Sequence, residues 1–489
     1  MTRNIGKWIY AVFGAVFCGL FGFLAVDVIV NNRVPYYQYS PLVMTVFGVA
    51  VFAALVALGL VCKRLNLSIF AACETTLVAG ALILYFIVQL AVGLTLQVEA
   101  TQTWDFGIVF DAAYRQAYFG ETAGEYFQSF PNNAPLYLVL AAFFRLLRLF
   151  GVENVMPFAV SVNALFINLS LLGMYLCARK LAGRKAAGFV LLCGFCFPVF
   201  LLYAPIVYTD TVTMLFPVWS LYLYLSIRSA PFTRRSALQA AGIGLLCAVG
   251  GWIKITVLIV GIAILLDILL NETVCSRLKK AGCILLALAV VYAAAGLYTK
   301  TSVALPQENR DMQYPYTHWV MMGLNGDGGY NDDDYKYTQQ GTTYEQRVQL
   351  TQSEIVRRLS EMGAAGFLHH CADKLSFIFG DGLYYAPVKL DIRPVHMGNP
   401  LQEYCIQGMK HLGRTGYVAM GMQIALLAAI CISAVWAVCS KENLLMVVRL
   451  AVFGVALFLL MWEARSRYLI NYLPLLLLAG LVWVPVKKK

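Results

Sequence analysis

Long apolar stretches alternate with short polar ones along the chain, near residues 8–30, 41–62, 69–93, 155–178, 186–207, 211–228, 237–253, 255–271, 282–299, 417–438, 443–462 and 468–486. Crossing a bilayer core of ~30 Å takes about 20 helical residues. The pattern therefore predicts an all-α polytopic membrane protein with about 12 transmembrane helices. The first stretch is too long for the apolar part of a signal peptide and is followed by no small-residue cleavage site, so it reads as an anchor. Residues 134–150 are also apolar but short, with Arg145 and Arg148 near their end. They read as an amphipathic helix on the outer interface, and a tilted or re-entrant helix stays open as the alternative.

Two polar regions are too long to be connectors, which marks them as functional. They divide the chain into a transmembrane module over 1–299 with a first outer loop at 94–154, an extracytoplasmic α/irregular insertion over 300–416, and C-terminal transmembrane helices over 417–489. The insertion holds all five histidines. No internal repeat or inverted pair of broken helices marks a transporter.

Composition agrees with the pattern: 60% of the 489 residues are hydrophobic and 13% charged. A soluble globular enzyme is excluded, because ordinary soluble domains run at roughly 45–50% apolar and 25% charged. The net charge of +11 suggests nucleic acid only until the cations are placed. They form no basic face. One set of loops carries Arg3 and Lys7, Lys63-Arg64, Arg179-Lys180 with Arg184-Lys185, Arg228 with Arg234-Arg235, Arg277 with Lys279-Lys280, Lys441, and Lys487 to Lys489, against only Glu272 and Glu442. This positive-inside pattern puts both termini in the cytoplasm. The partner it implies is the lipid bilayer, with no nucleic acid.

Most of the thirteen cysteines lie within apolar stretches, where a thiol acts as a small apolar group. Cys193-Gly-Phe-Cys196 has redox spacing but lacks a βαβ context. A disulfide between Cys371 and Cys405, both in the insertion, stays open. Asp332-Asp333-Asp334, near Gly326, Gly328 and Gly329, lacks the spaced ligands of a calcium loop and reads as a solvated turn. His369-His370 and His396 have no metal-ligand spacing. Glu74 and Asp267, at or within apolar stretches, read as helix-packing polar groups.

On this topology five polar stretches emerge at the outer face: Thr103-Trp104-Asp105-Phe106 with Asp111 beyond it, Phe130-Pro131-Asn132-Asn133, Tyr208-Thr209-Asp210-Thr211, Trp252-Ile253-Lys254, and Glu463-Ala-Arg465-Ser-Arg467-Tyr468. Ionisable groups at the edge of hydrocarbon are costly and pair or serve a site. Lys254, Arg465 and Arg467 are suited to an anionic lipid-phosphate headgroup, Arg as a planar fork and Lys as a point charge. Asp105 is the candidate general base for an acceptor hydroxyl. Asp210 would hold hydroxyls or steer the base. The remaining candidates for substrate contact are Tyr208, Asn132, Asn133, Asp111 and Glu463.

The order of these stretches resembles the GT-C superfamily, and more narrowly its bacterial family 39 glycosyltransferase-like members. That superfamily includes protein mannosyltransferases and the lipid A aminoarabinose transferase. His318-Trp319 through Tyr330-Asn331 is similar to a motif of Gram-positive members. The resemblance covers most of the chain and implies a GT-C fold, a polyprenyl-phosphate sugar donor and inverting transfer at the outer face of a cell (plasma) membrane. It implies Asp105 and Asp210 as the two acids, and Lys254 with Arg465 or Arg467 as phosphate-binding cations. The acceptor would be a cell-envelope polymer, a glycolipid or a protein. Protein mannosyltransferases carry Asp-Glu where this chain has Asp105-Phe106, which speaks against protein mannosylation. Asp-x-Asp pairs are absent at Asp105 and Asp210, so no metal cofactor is expected, and ligand spacing does not support a divalent cation. Two more apolar stretches precede Asp105 than the single one typical of the superfamily. A lipid or polysaccharide flippase and a non-catalytic envelope-assembly protein are the alternative functions, since fold does not fix function.

Overall fold

The computed structural model describes residues 2–64, 73–100, 104–440 and 443–482, with side chains from Tyr10 onward. Thr103, Lys441, Glu442, Lys487 to Lys489 and the side chains of Arg3 and Lys7 lie outside the described residues. The first half of the chain forms helices α1 (Thr2–Val30), α2 (Pro41–Arg64), α3 (Glu74–Thr95), α4 (Asp105–Phe119), α5 (Ala134–Leu149), α6 (Met156–Ala182), α7 (Arg184–Cys196), α8 (Leu215–Ile227) and α9 (Arg234–Ile253). Then follow α10 (Leu258–Asn271), α11 (Val274–Thr301), α12 (Tyr316–Gly323), α13 (Asp332–Gln339), α14 (Tyr344–Phe379), α15 (Ala386–Asp391), α16 (Leu412–Ser440), α17 (Met446–Met461) and α18 (Leu473–Leu481). Among the described residues there is no strand, only an isolated antiparallel bridge between Val98 and Pro394.

Among the described residues seven helices are long and apolar enough to cross a membrane: Tyr10–Val30 of α1, then α2, α3, α6, α9, α11 and α16. Ile255–Asn271, Met446–Met461 and Ser466–Leu481 are apolar but shorter. The expected single helices at 186–207 and 211–228 are instead broken. Helix α7 stops at Cys196, because Pro198 cannot continue it. Residues 199–214 then run as short turns, almost wholly buried. Backbone carbonyls freed inside an apolar interior must find donors. Asn163 of α6 supplies them, donating to the carbonyls of Tyr203 (3.0 Å), Ala204 (3.0 Å) and Ile206 (3.1 Å). Gln89 of α3 donates to the carbonyl of Phe200 at 2.8 Å. The stretch around Asp210 is thus a buried, side-chain-supported segment rather than a surface turn.

Helix α18 is buried along its whole length, as expected of a helix apolar on every side, and the longer helices pack around it. The two sets of loops separate to opposite ends. At one end Glu74 pairs with Arg179 (3.2 Å) and Arg184 (2.8 Å). At that end Asp267 pairs with Arg228 (2.8 Å) and Glu272 with Lys280 (2.7 Å). Helix-packing roles for Glu74 and Asp267 therefore stand, in the form of ion pairs. At the other end lie Asp105 to Asn133, the 199–214 segment, Lys254, the insertion and residues 462–468.

Helix α5 has 16 residues, about 24 Å at 1.5 Å per residue. It packs against α4, with Arg145 bonding Gln116 and Arg148 the carbonyl of Ala117. The insertion is not free-standing. Its longest helix, α14, kinks at Gly363 (φ 58°), and Lys374 to Phe379 are buried against the bundle. The expected solvated acidic turn is the start of α13, capped by Asn331, whose side chain accepts from the Asp334 amide at 2.9 Å. Asp334 is buried and bonded to Arg358 through both oxygens (2.5 and 2.9 Å). Cys371 and Cys405 are both free thiols, so the disulfide left open does not form.

Candidate functional site

The site is built where helices begin or break. Asp105 is the first residue of α4, after an extended Trp104. Its Oδ1 accepts from the Tyr126 hydroxyl at 2.7 Å and its Oδ2 lies 3.4 Å from the Tyr208 hydroxyl. Asn133 links the two tyrosines: its Nδ2 donates to Tyr126 Oη (2.6 Å), and its Oδ1 accepts from Tyr208 Oη (2.9 Å). Asp105, Tyr126, Asn133 and Tyr208 thus close a hydrogen-bonded ring drawn from three chain segments, which fixes the carboxylate in place.

Asp210 is the centre of a second, buried group. It accepts from Lys254 Nζ through Oδ1 and from Arg467 Nη1 through Oδ2, the latter at 2.9 Å. Burial acts to raise its carboxyl, and the two cations more than offset this, holding it below the usual carboxylate range. Lys254 is presented by the extended residue between α9 and the next turn. Arg467 is the second residue of a seven-residue 3-10 helix, Ser466–Tyr472, unusually long for that geometry. Arg467 stacks on Tyr468 and Tyr208, 4.6 and 5.6 Å from the ring centres. Tyr468 donates to Glu463 at 2.7 Å, and burial raises the Glu463 carboxyl.

Two further cations face the same space without an ion-pair partner among the described residues. Arg465 stacks on Tyr385 at 4.6 Å, and Lys389 of α15 on Trp104 at 4.0 Å. Neither makes a side-chain hydrogen bond or ion pair to a described residue. Burial, with Arg467 nearby, pushes the Lys389 ammonium down to about 7. Two buried donors beside them, Nε of Arg467 and Nε1 of Trp104, also lack a partner among the described residues. These groups are all donors, which suits them to an anionic, oxygen-rich group.

Asp381 ties these parts together. It accepts from Tyr36 Oη (2.5 Å), Ser466 Oγ (3.0 Å) and the amides of Leu383 (2.9 Å) and Tyr385 (2.6 Å). It thereby holds the left-handed Tyr384-Tyr385 turn (φ 53° and 66°) that launches α15. The insertion also shapes the 462–467 stretch. The Glu463 amide donates to the Trp319 carbonyl and the Ala464 amide to that of Gly328, both at 2.9 Å. Lys374 Nζ donates to the carbonyls of Gly323 (2.7 Å), Leu460 (3.0 Å) and Trp462 (2.7 Å).

Of the residues singled out in the sequence, Asp105, Asn133, Tyr208, Asp210, Lys254, Glu463, Arg465 and Arg467 come together. Asn132 is exposed, outside the ring that Asn133 completes. Asp111 lies six residues along α4 from Asp105, about 120° around the helix, and makes no hydrogen bond to a described residue. Lys254 and Arg467, expected as open phosphate ligands, are engaged by Asp210. Sequence reasoning missed Lys389, Tyr126 and Asp381. Only the Tyr384-Tyr385-Ala386-Pro387 run, with proline in a first helical turn, hinted at α15. Among the described residues no cluster of histidine, cysteine or carboxylate groups is arranged to hold a metal. His318 bonds Thr338 and His370 the carbonyl of Gly323.

An apolar groove of about 220 Å³ runs between α5, α6 and the 207–212 segment, lined by Leu136, Val139, Phe143, Phe166, Val207 and Val212.

Helices of this length and hydropathy define an integral membrane protein. More particularly, the chain belongs to the family described as conserved hypothetical integral membrane protein, whose model matches residues 1–486. No curated protein matches it.

Proposed function

We propose that this protein is an integral-membrane glycosyltransferase that moves a sugar from a polyprenyl-phosphate donor to an acceptor hydroxyl at the outer face of the plasma membrane. The observation that carries this reading is a set of donors without a protein partner beside a fixed carboxylate: the partly exposed Arg465 and Lys389 and the buried Nε of Arg467 and Nε1 of Trp104, grouped near Asp105. In this scheme the donor phosphate is bound by Arg465 and Lys389, with Arg467 completing the cradle. Lys254 balances Asp210 and keeps Arg467 in position. The apolar groove, whose walls flank Asn133 and Asp210 in the chain, takes the first isoprene units.

In the reaction the acceptor oxygen attacks the anomeric carbon from the face opposite the phosphate, which inverts that carbon. The bond from the anomeric carbon to phosphate oxygen breaks, and its electron pair leaves on the polyprenyl phosphate. The acceptor proton passes to Asp105. Cations aimed at the developing phosphate charge supply the electrostatic part of catalysis.

The test is transfer in reconstituted vesicles loaded with polyprenyl-phosphate sugars taken from membranes lacking the protein. Asp105→Asn should lower transfer by about 10²- to 10⁴-fold, the range of a lost general base, while donor binding persists. Arg465→Ala should instead weaken donor binding. Full transfer by normally inserted Asp105→Asn protein would overturn the assignment.

A further inference from the structure

Aromatic rings crowd the outer side of the Asp105 ring of hydrogen bonds. The ring of Tyr126, whose hydroxyl bonds Asp105, lies 5.1 Å from that of Phe130. Phe130 in turn lies nearly parallel to Tyr314 (5.0 Å, 13°), and Tyr314 to Tyr335 (5.1 Å, 11°). Trp319 approaches Phe130 at 6.1 Å, and Tyr330 approaches Tyr335 at 6.4 Å. Tyr314 is the buried centre of this cluster, whereas Tyr330 is 49% exposed. The rings come from residues 126–130 and from residues 314–335, so folding alone assembles them.

The polar groups around the rings have a definite character. Asp332 and Asp333 are exposed beside Tyr330, whose hydroxyl donates to Asp332 at 3.2 Å. The nearby cations are already engaged. Arg347 donates to the carbonyls of Gly341, Met312 and Gln313. Arg358 is bonded to Asp334 and Glu354, and Lys336 to Asp332. The surface thus offers aromatic faces and the exposed carboxylate of Asp333, with Asp332 shared between Tyr330 and Lys336, and Arg347, Arg358 and Lys336 already engaged. Such a combination suits a neutral sugar ring: its C–H face packs on the negative face of an aromatic ring, and its hydroxyls donate to carboxylates. It suits a polyol phosphate or a phosphorylated peptide poorly.

We propose that the acceptor is a carbohydrate, and that its sugar rings lie on the platform formed by Tyr330, Tyr335, Phe130 and Trp319 on the way to Asp105. This rests on the transferase reading for its consequence, but the surface binds glycan whether or not transfer follows.

The test is retention of the full-length protein, in detergent, on an array carrying bacterial surface oligosaccharides, polyol phosphates and Ser/Thr peptides. Retention is expected on oligosaccharides, falling about five- to tenfold in Tyr330→Ala, the loss of roughly one stacking contact. Tyr330→Phe should retain glycan, because it keeps the ring face. No retention on any oligosaccharide, equal retention by Tyr330→Ala, or preference for polyol phosphates or peptides would each overturn the proposal. Equal loss in Tyr330→Phe would assign the effect to the Tyr330–Asp332 hydrogen bond and overturn it as well. Glycan binding without transfer by the unaltered protein would defeat the transferase reading alone, and transfer without glycan binding the platform alone.

Discussion

Asp210 and Asp105 are both acids at one end of the helix bundle, yet their surroundings assign them different work. Asp210 neutralises two buried cations. Removing one partner of a buried ion pair leaves uncompensated charge, at a cost of about 3–5 kcal/mol. Asp210→Ala is therefore expected to lower the thermal stability of the detergent-solubilised protein sharply, whereas Asp105→Asn, in a ring of neutral hydrogen bonds, should leave it nearly unchanged. Comparing their melting curves checks this before any activity is read. Lys389 gives a pH dependence of known sign. Its ammonium sits at about 7, so the charge is present below that pH and lost above it. Binding of inorganic pyrophosphate as a competitor should weaken as pH rises from 6 to 8, and Lys389→Arg, charged throughout, should flatten that part of the profile.

At the scale of elements, the loop after α12 wraps the Lys374 side chain, and two of its glycines can be told apart. Both Gly326 (φ 53°) and Gly328 (φ 76°) are left-handed. A Cβ on Gly326 would meet open space, but on Gly328 it would fall 2.5 Å from Lys374 Cε and 2.9 Å from the Gly323 carbonyl oxygen. Gly326→Ala should cost about 1–2 kcal/mol, the backbone strain alone. Gly328→Ala should cost more and should also disturb the Ala464–Gly328 hydrogen bond that seats the Arg465 stretch. Differential scanning of the two variants, together with proteolysis near residue 464, would show the difference.

For the whole molecule, the separation of the two loop sets to opposite ends makes sidedness testable at well-chosen positions. Gly328, at the end of the bundle that carries the charged site, is buried and too enclosed for labelling. Exposed Asp333 and Arg235 are better. After native thiols are blocked, Asp333→Cys should react with an impermeant maleimide added to intact cells, and Arg235→Cys only after lysis. The reverse labelling would place the charged site on the cytoplasmic face and remove the basis for an outer-leaflet donor.

Hydropathy and charge placement along the sequence sufficed to determine a helical integral membrane protein and to separate its loops into two sets, because both signals are local and periodic. They also sufficed to single out Asp105, Asp210, Lys254, Arg465 and Arg467, since ionisable groups stand out beside hydrocarbon. Twelve apolar stretches did not become twelve long helices, because whether a stretch such as 186–207 stays continuous depends on a proline and on Asn163 and Gln89, which lie on other helices and can satisfy the broken backbone. Nor was the pairing of charges legible. Asp210 takes Lys254 and Arg467, leaving Arg465 and Lys389 open, only because segments as much as 257 residues apart meet at one point. Tertiary structure alone decided which cations remain available, because an ion pair's partner is a property of position in space.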